Sequence, residues 1–274
     1  MEKAQMKNLK LNYHMLEGCN YNCKFCFAHY DKKQKLDYEH MKSVIRNTAL
    51  CGFFSGINFA GGEPFLIPEI IDLIQFAKEQ GLSTSVITNG SLITKEKLDI
   101  MLPYLDCIGI SVHSICDRTK IATGSCTNKD EVLKNEQLQD ICGYIRTKSN
   151  CKIKINTVVN SLNKHEVFVP FIKTLSVDRW KILRCQEFEN NTSMLISDSE
   201  WDEFCLRNKG IPNTVFEDNM KDTYIMVNPS GLLMAENSEG NSYKTIGSVL
   251  KQDMESLLLK HPLHIQEYLK RYSA

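Results

Sequence analysis

The strongest constraint on this chain is a short stretch, Gly18-Cys19-Asn20-Tyr21-Asn22-Cys23-Lys24-Phe25-Cys26, that follows closely on an apolar run starting at residue 8. Three thiolates this close together can wrap three corners of a cubane iron–sulfur cluster and leave one iron with no protein ligand. That open iron is where a substrate or cofactor binds. Structural zinc normally takes four protein ligands, so a zinc knuckle would need His14 or His29 as well. A disulfide reading is weaker still, since three cysteines cannot all pair. In parallel α/β architectures such sites gather at the C-terminal ends of the strands.

The rest of the chain supplies that architecture. Short apolar runs at residues 8–14, 56–60, 83–88, 107–111, 151–159 and 179–185 read as strands. Amphipathic stretches at 37–51, 68–80, 94–102, 128–148 and 163–175 read as helices. Asn128 with Glu131, Asn163 with Glu166, and Ser197 with Glu200 each put a capping side chain three residues before a carboxylate. Gly52 and Gly81 stand where a left-handed residue ends a helix. Strand–helix alternation with short connections predicts a parallel sheet with helices outside. Six units are too few for a closed eight-stranded barrel, so the expected fold is a partial (β/α)6 TIM-type barrel over residues 1–185. A smaller C-terminal extension, 186–274, is expected to close over the site. Within it, residues 224–228 and 232–235 flank Pro229-Ser230-Gly231, a hairpin signal.

Composition narrows the function. The chain carries 33 basic and 33 acidic residues among 274. It therefore has no general field for collecting nucleic acid or anionic membrane, and a phosphate-bearing ligand must be held by a few local groups. No run approaches the roughly 18 apolar residues of a membrane span, and the first ten residues lack a signal-peptide core. A cytoplasmic monomer is expected. The other eight of the eleven cysteines are scattered, as small buried hydrophobes in a reducing compartment would be.

The C-x3-C-x2-C spacing, with the aromatic Phe25 before the third cysteine, resembles the radical-SAM superfamily. The resemblance implies a 4Fe–4S cluster on Cys19, Cys23 and Cys26, with S-adenosylmethionine (SAM) chelating the fourth iron and yielding a 5′-deoxyadenosyl radical. Ala60-Gly61-Gly62-Glu63-Pro64 matches the superfamily's GGEP element. Its glycines let backbone approach a ligand, and Glu63 can accept from an ammonium group. By the same resemblance Asn89, Ser91 and Ser111, at the ends of the third and fourth strands, contact SAM.

Longer stretches resemble the viperin family, in particular its prokaryotic members. They are Asn12-Tyr13-His14 through Phe27, residues 58–65 and 89–93, Lys154-Ile155-Asn156, Arg179-Trp180-Lys181 and Met220-Lys221-Asp222-Thr223-Tyr224. The resemblance implies conversion of a ribonucleoside triphosphate, CTP first with UTP or GTP next, to its 3′-deoxy-3′,4′-didehydro analogue in antiviral defence. A reductase, flavodoxin or ferredoxin would supply the electron. The matched residues suit such a substrate. Strand alternation puts Lys152, Lys154 and Asn156 on one face, and a lysine turned into a barrel is costly unless it meets an anion. The alternative is a solvated lysine whose stem lies across apolar neighbours. With Lys181, Asn12 and Asn156, Lys154 would bind phosphate, and the Tyr224 hydroxyl would lie over the sugar or base and relay a proton. Lys221 and Met220 belong to a loop that lines the base in this family.

Three positions depart from the pattern. Ala60 replaces a serine, His113 replaces an acidic residue, and Thr123 falls where animal members carry a phosphate-gripping arginine, a loss that Arg118 or Lys120 would offset. The amphipathic N-terminal helix of animal members is not matched in these residues, so no membrane anchoring is expected. Two rival readings remain. An activase or peptide-modifying radical-SAM enzyme would often carry a second, late cysteine cluster, and Cys185 and Cys205 stand alone. A non-catalytic metal-binding module would need none of Glu63, Lys154, Lys181 and Tyr224.

Overall fold

Inward and outward faces alternate along the first strand, β1 (Leu9–Leu16). Leu9, Leu11, Tyr13 and Met15 are buried among the helices, while Lys10, Asn12 and His14 face a central cavity. The computed structural model describes residues 8–27, 37–188, 191–219, 223–236 and 243–272; His29, Met220 and Lys221 lie outside them. The barrel strands continue as β2 (Phe54–Gly61), β3 (Ser83–Thr88), β4 (Cys107–Ser111), β5 (Lys152–Val159), β6 (Arg179–Arg184) and β7 (Thr214–Glu217). Near the end come β8 (Met226–Val227), β9 (Leu232–Glu236) and β10 (Tyr243–Ser248). One sheet holds them in the order β10-β9-β8-β1-β2-β3-β4-β5-β6-β7. Pairing is parallel from β8 across to β7 and antiparallel for β8–β9–β10. The six expected strand–helix units are present in a partial TIM-type barrel, which β7 extends on one edge and β8–β10 on the other.

The helices obey the caps that the sequence offers. Helix α1 (Tyr38–Leu50) starts where Asp37 accepts from the His40 N–H at 3.0 Å and buries Met41, Val44, Ile45 and Thr48, one helical stripe. Helix α2 (Ile70–Glu79) buries Ile70, Leu73, Ile74 and Ala77 in the same spacing. Gly52 and Gly81 sit at φ 72° and 83° after these helices, as left-handed caps require. Helix α3 (Lys95–Met101) follows, capped by Thr94. The short α4 (Asp117–Ala122) was not anticipated.

Two expected helix starts are corrected. Helix α5 runs Asn135–Lys148, not from 128, because the Thr127 hydroxyl instead accepts from the Lys129 and Glu131 N–H groups in a tight turn. Helix α6 runs Val169–Thr174, not from 163. Asn163 donates to the carbonyls of His113 and Val158 at 2.5 and 2.8 Å, and Glu166 accepts from Ser114 and the Ile115 N–H. Both side chains thus anchor the loop after β4. Helix α7 (Asp198–Arg207) keeps its Ser197–Glu200 capping box. The hairpin at Pro229-Ser230-Gly231 is present, with Gly231 at φ 71° and Asn228 accepting from the Ser230 and Leu232 N–H groups. Helices α8 (Met254–Leu258) and α9 (Ile265–Tyr272) end the fold. From α9, the fully buried Tyr268 accepts a hydrogen bond from the Lys10 N–H at 2.5 Å, so this last helix covers the start of β1. Among the described residues no helix is long and apolar enough to cross a membrane.

Candidate active site

A cavity of about 1020 Å³ runs through the barrel, larger than a single drug-sized ligand needs. Cys19, Cys23, Cys26, Gly62, Glu63, Asn89 and Ser111 line it at the C-terminal ends of the strands. Lys10, Cys107, Lys152 and Arg179 line it where the strands begin.

The cysteine loop is fixed by backbone on both sides. Gly62 N–H donates to the Leu16 carbonyl at 2.7 Å and Glu63 N–H to the Gly18 carbonyl at 2.9 Å. A Cβ at Gly62 would stand 2.0 Å from the Gly18 oxygen, so only glycine allows this approach. On the other side Asn22 and Lys24 N–H groups donate to the Gly124 and Thr123 carbonyls at 3.0 and 2.9 Å. Thr123 is therefore a prop for the loop; its own hydroxyl donates to the Lys120 carbonyl. Lys120 does not replace a phosphate ligand, because its ammonium is committed to Asp117, the Leu133 carbonyl and Asn135. Arg118 is exposed and outside the cavity lining.

All eleven cysteines are thiols with no disulfide. Four of the scattered ones, Cys126, Cys142, Cys151 and Cys185, are buried, while Cys116 is exposed. Burial raises the Cys19 thiol pKa and pushes Cys23 up to about 12, with neighbouring cysteines adding to the Cys23 shift. A bound cation would favour the thiolate forms that burial disfavours. Among the described residues no three His, Cys, Asp or Glu side chains are set to hold one metal ion. A cubane does not ask for such convergence, since each thiolate binds a different iron. Cys19, Cys23 and Cys26 all line the cavity, so the residues present fit the three-thiolate donor set that such a cluster would need.

Next to the loop, Glu63 is buried and its carboxylate accepts from Thr88 at 2.7 Å, the Asn89 N–H at 2.8 Å and the Phe65 N–H at 3.1 Å. Burial nonetheless raises its pKa. Asn89 donates toward Cys19 Sγ at 3.8 Å and to Asn20 at 2.8 Å. Ser91 does not line the main cavity; it donates to Asn89 Oδ1 and accepts from Asn20, so it orients Asn89. Phe25 is buried with its ring centroid 4.7 Å from that of His113. Desolvation lowers His113 to about 4, and its Nδ1 accepts from the Val158 N–H. This neutral ring stabilises the loop by packing.

Deeper in the barrel, Asn58 donates to Asn12 and Ser85 to Asn58, both at 2.9 Å. Lys154 and Asn156 project inward from β5 and Lys181 from β6. Lys181 forms an ion pair with Glu217 at 2.7 Å and hydrogen-bonds the Tyr224 hydroxyl. That hydroxyl also donates to Glu217 at 3.2 Å. Sequence reasoning missed Glu217, a carboxylate closing an apolar strand, and missed an aromatic cluster lining the cavity. In that cluster Phe188 stacks on Tyr243 at 6.1 Å and Phe27 packs on both.

Known proteins resemble this chain in sequence and in fold. Residues 13–138 match the model of the radical SAM superfamily. A protein of Selenomonas ruminantium named S-adenosylmethionine-dependent nucleotide dehydratase is 36% identical over 96% of this chain and 98% of its own. A protein of the same name from Flammeovirga pacifica is 31% identical over 95% and 93%. The crystal structure of Streptococcus suis SuiB bound to S-adenosylmethionine superposes with a TM-score of 0.71 at 15% identity, covering 98% of this chain and 68% of that one. That likeness concerns the fold.

Proposed function

We propose, on the premise that the chain belongs to the S-adenosylmethionine-dependent nucleotide dehydratases of the radical SAM superfamily, that it dehydrates a ribonucleoside triphosphate, CTP first and UTP or GTP next, to the 3′-deoxy-3′,4′-didehydro analogue. Its cofactors are a 4Fe–4S cluster and SAM. Bound together, they would supply the 5′-deoxyadenosyl radical that takes the ribose 4′ hydrogen; the 3′ hydroxyl then takes up one proton and leaves as water, and one electron from the external reductant closes the 3′,4′ double bond.

The observation that carries this reading is the polarity of one continuous cavity, with three thiols at one end and cations at the other. Cys19, Cys23 and Cys26 hold the cluster. Gly61 and Gly62 present backbone, and Glu63, Asn89 and Ser111 present polar atoms, to the methionine and ribose parts of SAM. Ser91 acts through Asn89. Lys154, Lys181, Asn12 and Asn156 bind the phosphates, which orients the ribose toward the cysteine loop. Tyr224 lies beside Lys181 and Glu217, and its hydroxyl passes the proton that the leaving 3′ hydroxyl takes up. The C-terminal extension, through Tyr224, Met234 and Tyr243 of the lining, closes over the nucleotide. The chain acts as a cytoplasmic monomer served by a flavodoxin, ferredoxin or other reductase. A product without a 3′ hydroxyl stops a polymerase, which suits antiviral defence.

The test is anaerobic. The cluster is reconstituted, SAM and dithionite are added, and 5′-deoxyadenosine is quantified with each of CTP, UTP, GTP and ATP. Strong stimulation by one nucleotide, with a product lighter by one water, is expected. Slow SAM cleavage that ignores every nucleotide would refute the substrate assignment.

A further inference from the structure

The cations at the floor of the cavity are more numerous than the phosphate ligands named above, and one of them starts the first strand. Lys10 shares the inward face of β1 with Asn12 and His14. Its neighbour across the sheet is Gly56, so no side chain from β2 stands beside it. Lys154 reaches the same space over Gly109, where an added Cβ would come within 3.0 Å of Lys154 Cε. Desolvation lowers the Lys154 pKa; Cys107 and Glu217 oppose that shift, and the charges of Arg179 and Lys10 add to it, so both cations lie within electrostatic reach of Lys154.

The nearby acids are already engaged. Asp178 pairs with Arg146 at 2.5 Å and accepts from the Ile153 N–H at 2.7 Å, and Glu217 pairs with Lys181. Among the described residues neither Lys10 nor Lys154 forms an ion pair with a carboxylate. Two half-buried ammonium groups in one cavity, with the nearby carboxylate of Glu217 committed to Lys181, are unfavourable without a further anion.

We propose that Lys10 is a further phosphate-binding residue, which joins Lys154 and Arg179 in receiving the terminal phosphates of a polyphosphate chain. The proposal rests on the triphosphate reading given above and adds an orientation to it. Lys152, Lys154, Asn156 and Val158 of β5 all line the cavity, a path of about 20 Å at the rise of a parallel strand. Lys154 is in register with Arg179, and Asn156, one layer closer to the mouth, with Lys181. The terminal phosphates therefore sit at the Lys10–Lys154–Arg179 layer, the proximal phosphate near Lys181 and Asn156, and the ribose near the cysteine loop. Tyr268 covers the start of β1 by bonding the backbone of Lys10, not its side chain. Changing the side chain thus leaves that contact in place.

The test is calorimetric binding of inorganic tripolyphosphate, CTP and CDP to the full chain as wild type, Lys10→Gln and Lys10→Arg. Loss of one charge-assisted contact predicts about 10- to 100-fold weaker binding of tripolyphosphate and CTP to Lys10→Gln. The preference for CTP over CDP should shrink with it, and Lys10→Arg should stay within a few-fold of wild type. Binding by Lys10→Gln equal to wild type would overturn the proposal and leave the nucleotide reading standing. Wild type that binds neither tripolyphosphate nor any nucleoside triphosphate would refute both. In wild type alone, CTP should shield Lys10 from amine acylation read by mass spectrometry; an unchanged acylation rate at saturating CTP would overturn the proposal even if Lys10→Gln does not fold.

Discussion

Replacing Glu217 by Gln isolates the buried Lys181–Glu217 charge pair. Lys181 and Glu217 side chains are 9% and 6% exposed and 2.7 Å apart, so the substitution takes the carboxylate charge away from an ammonium group held out of water, at nearly unchanged volume, while the Tyr224 hydroxyl stays beside it. Breaking such a pair from one side costs about 3–5 kcal/mol. The lysine's alternative, releasing its proton from an ordinary pKa near 10.4, costs ~4.6 kcal/mol at pH 7 and sets a ceiling. For a chain of this length about 2 °C of melting temperature is lost per kcal/mol, so Tm should fall by roughly 6–9 °C.

The pH dependence has a definite sign. In the variant the folded state disfavours the protonated lysine, so folding releases a proton and stability rises with pH. The deficit against wild type should therefore narrow between about pH 7 and 10. A triphosphate supplies the missing anion, so CTP should raise the variant's Tm more than it raises wild type's. Scanning calorimetry at several pH values, with and without CTP, reads all of this. A Tm within a degree of wild type at pH 7, or a deficit that widens with pH, would refute the argument that Glu217 neutralises Lys181.

Gly62→Ala should separate the cysteine loop from β2, because its Cβ would meet the Gly18 and Glu17 carbonyl oxygens at 2.0 and 2.7 Å. Iron content after reconstitution should drop, with about 1–3 kcal/mol of stability lost. Tyr224→Phe should bind CTP within a few-fold of wild type yet lower the rate of dehydrated product by about 10²-fold, the usual worth of a positioned proton donor; an unchanged rate removes Tyr224 from the chemistry. His14 is buried and desolvation holds it down to about 4, so its folded pKa lies below the unfolded value near 6.5. Stability should fall with decreasing pH across that interval, with a slope of up to about 1.4 kcal/mol per pH unit from this residue. Urea midpoints of His14→Gln should show a shallower decline.

The parts of the molecule that were legible in the sequence are those whose signal is local. Period-2 alternation in β1 and β5 and the i, i+3, i+4 stripes of α1 and α2 report burial against one neighbour. The cysteine loop is a run of adjacent residues whose chemistry follows from spacing. What escaped depends on contacts between distant segments. Asn163 and Glu166 carry a capping pattern, but the loop after β4 competes for both side chains and wins, so α6 starts later. Strands β7 and β10 are short edge strands with weak alternation, recognisable once β6 and β9 offer them a partner. Glu217 and Lys10 look like ordinary charged residues until the barrel turns them inward beside Lys181 and Lys154. Lys120, a reasonable stand-in for a missing phosphate ligand by position, is instead fixed by Asp117, Leu133 and Asn135.

The measurement closest to the central claim uses CTP carrying deuterium at the ribose 4′ position, incubated anaerobically with reconstituted enzyme, SAM and dithionite. Mass spectrometry of the 5′-deoxyadenosine should show one deuterium gained, in proportion to dehydrated nucleotide formed. 5′-Deoxyadenosine without deuterium, while CTP still stimulates its formation, would place the abstracted hydrogen elsewhere and contradict the account.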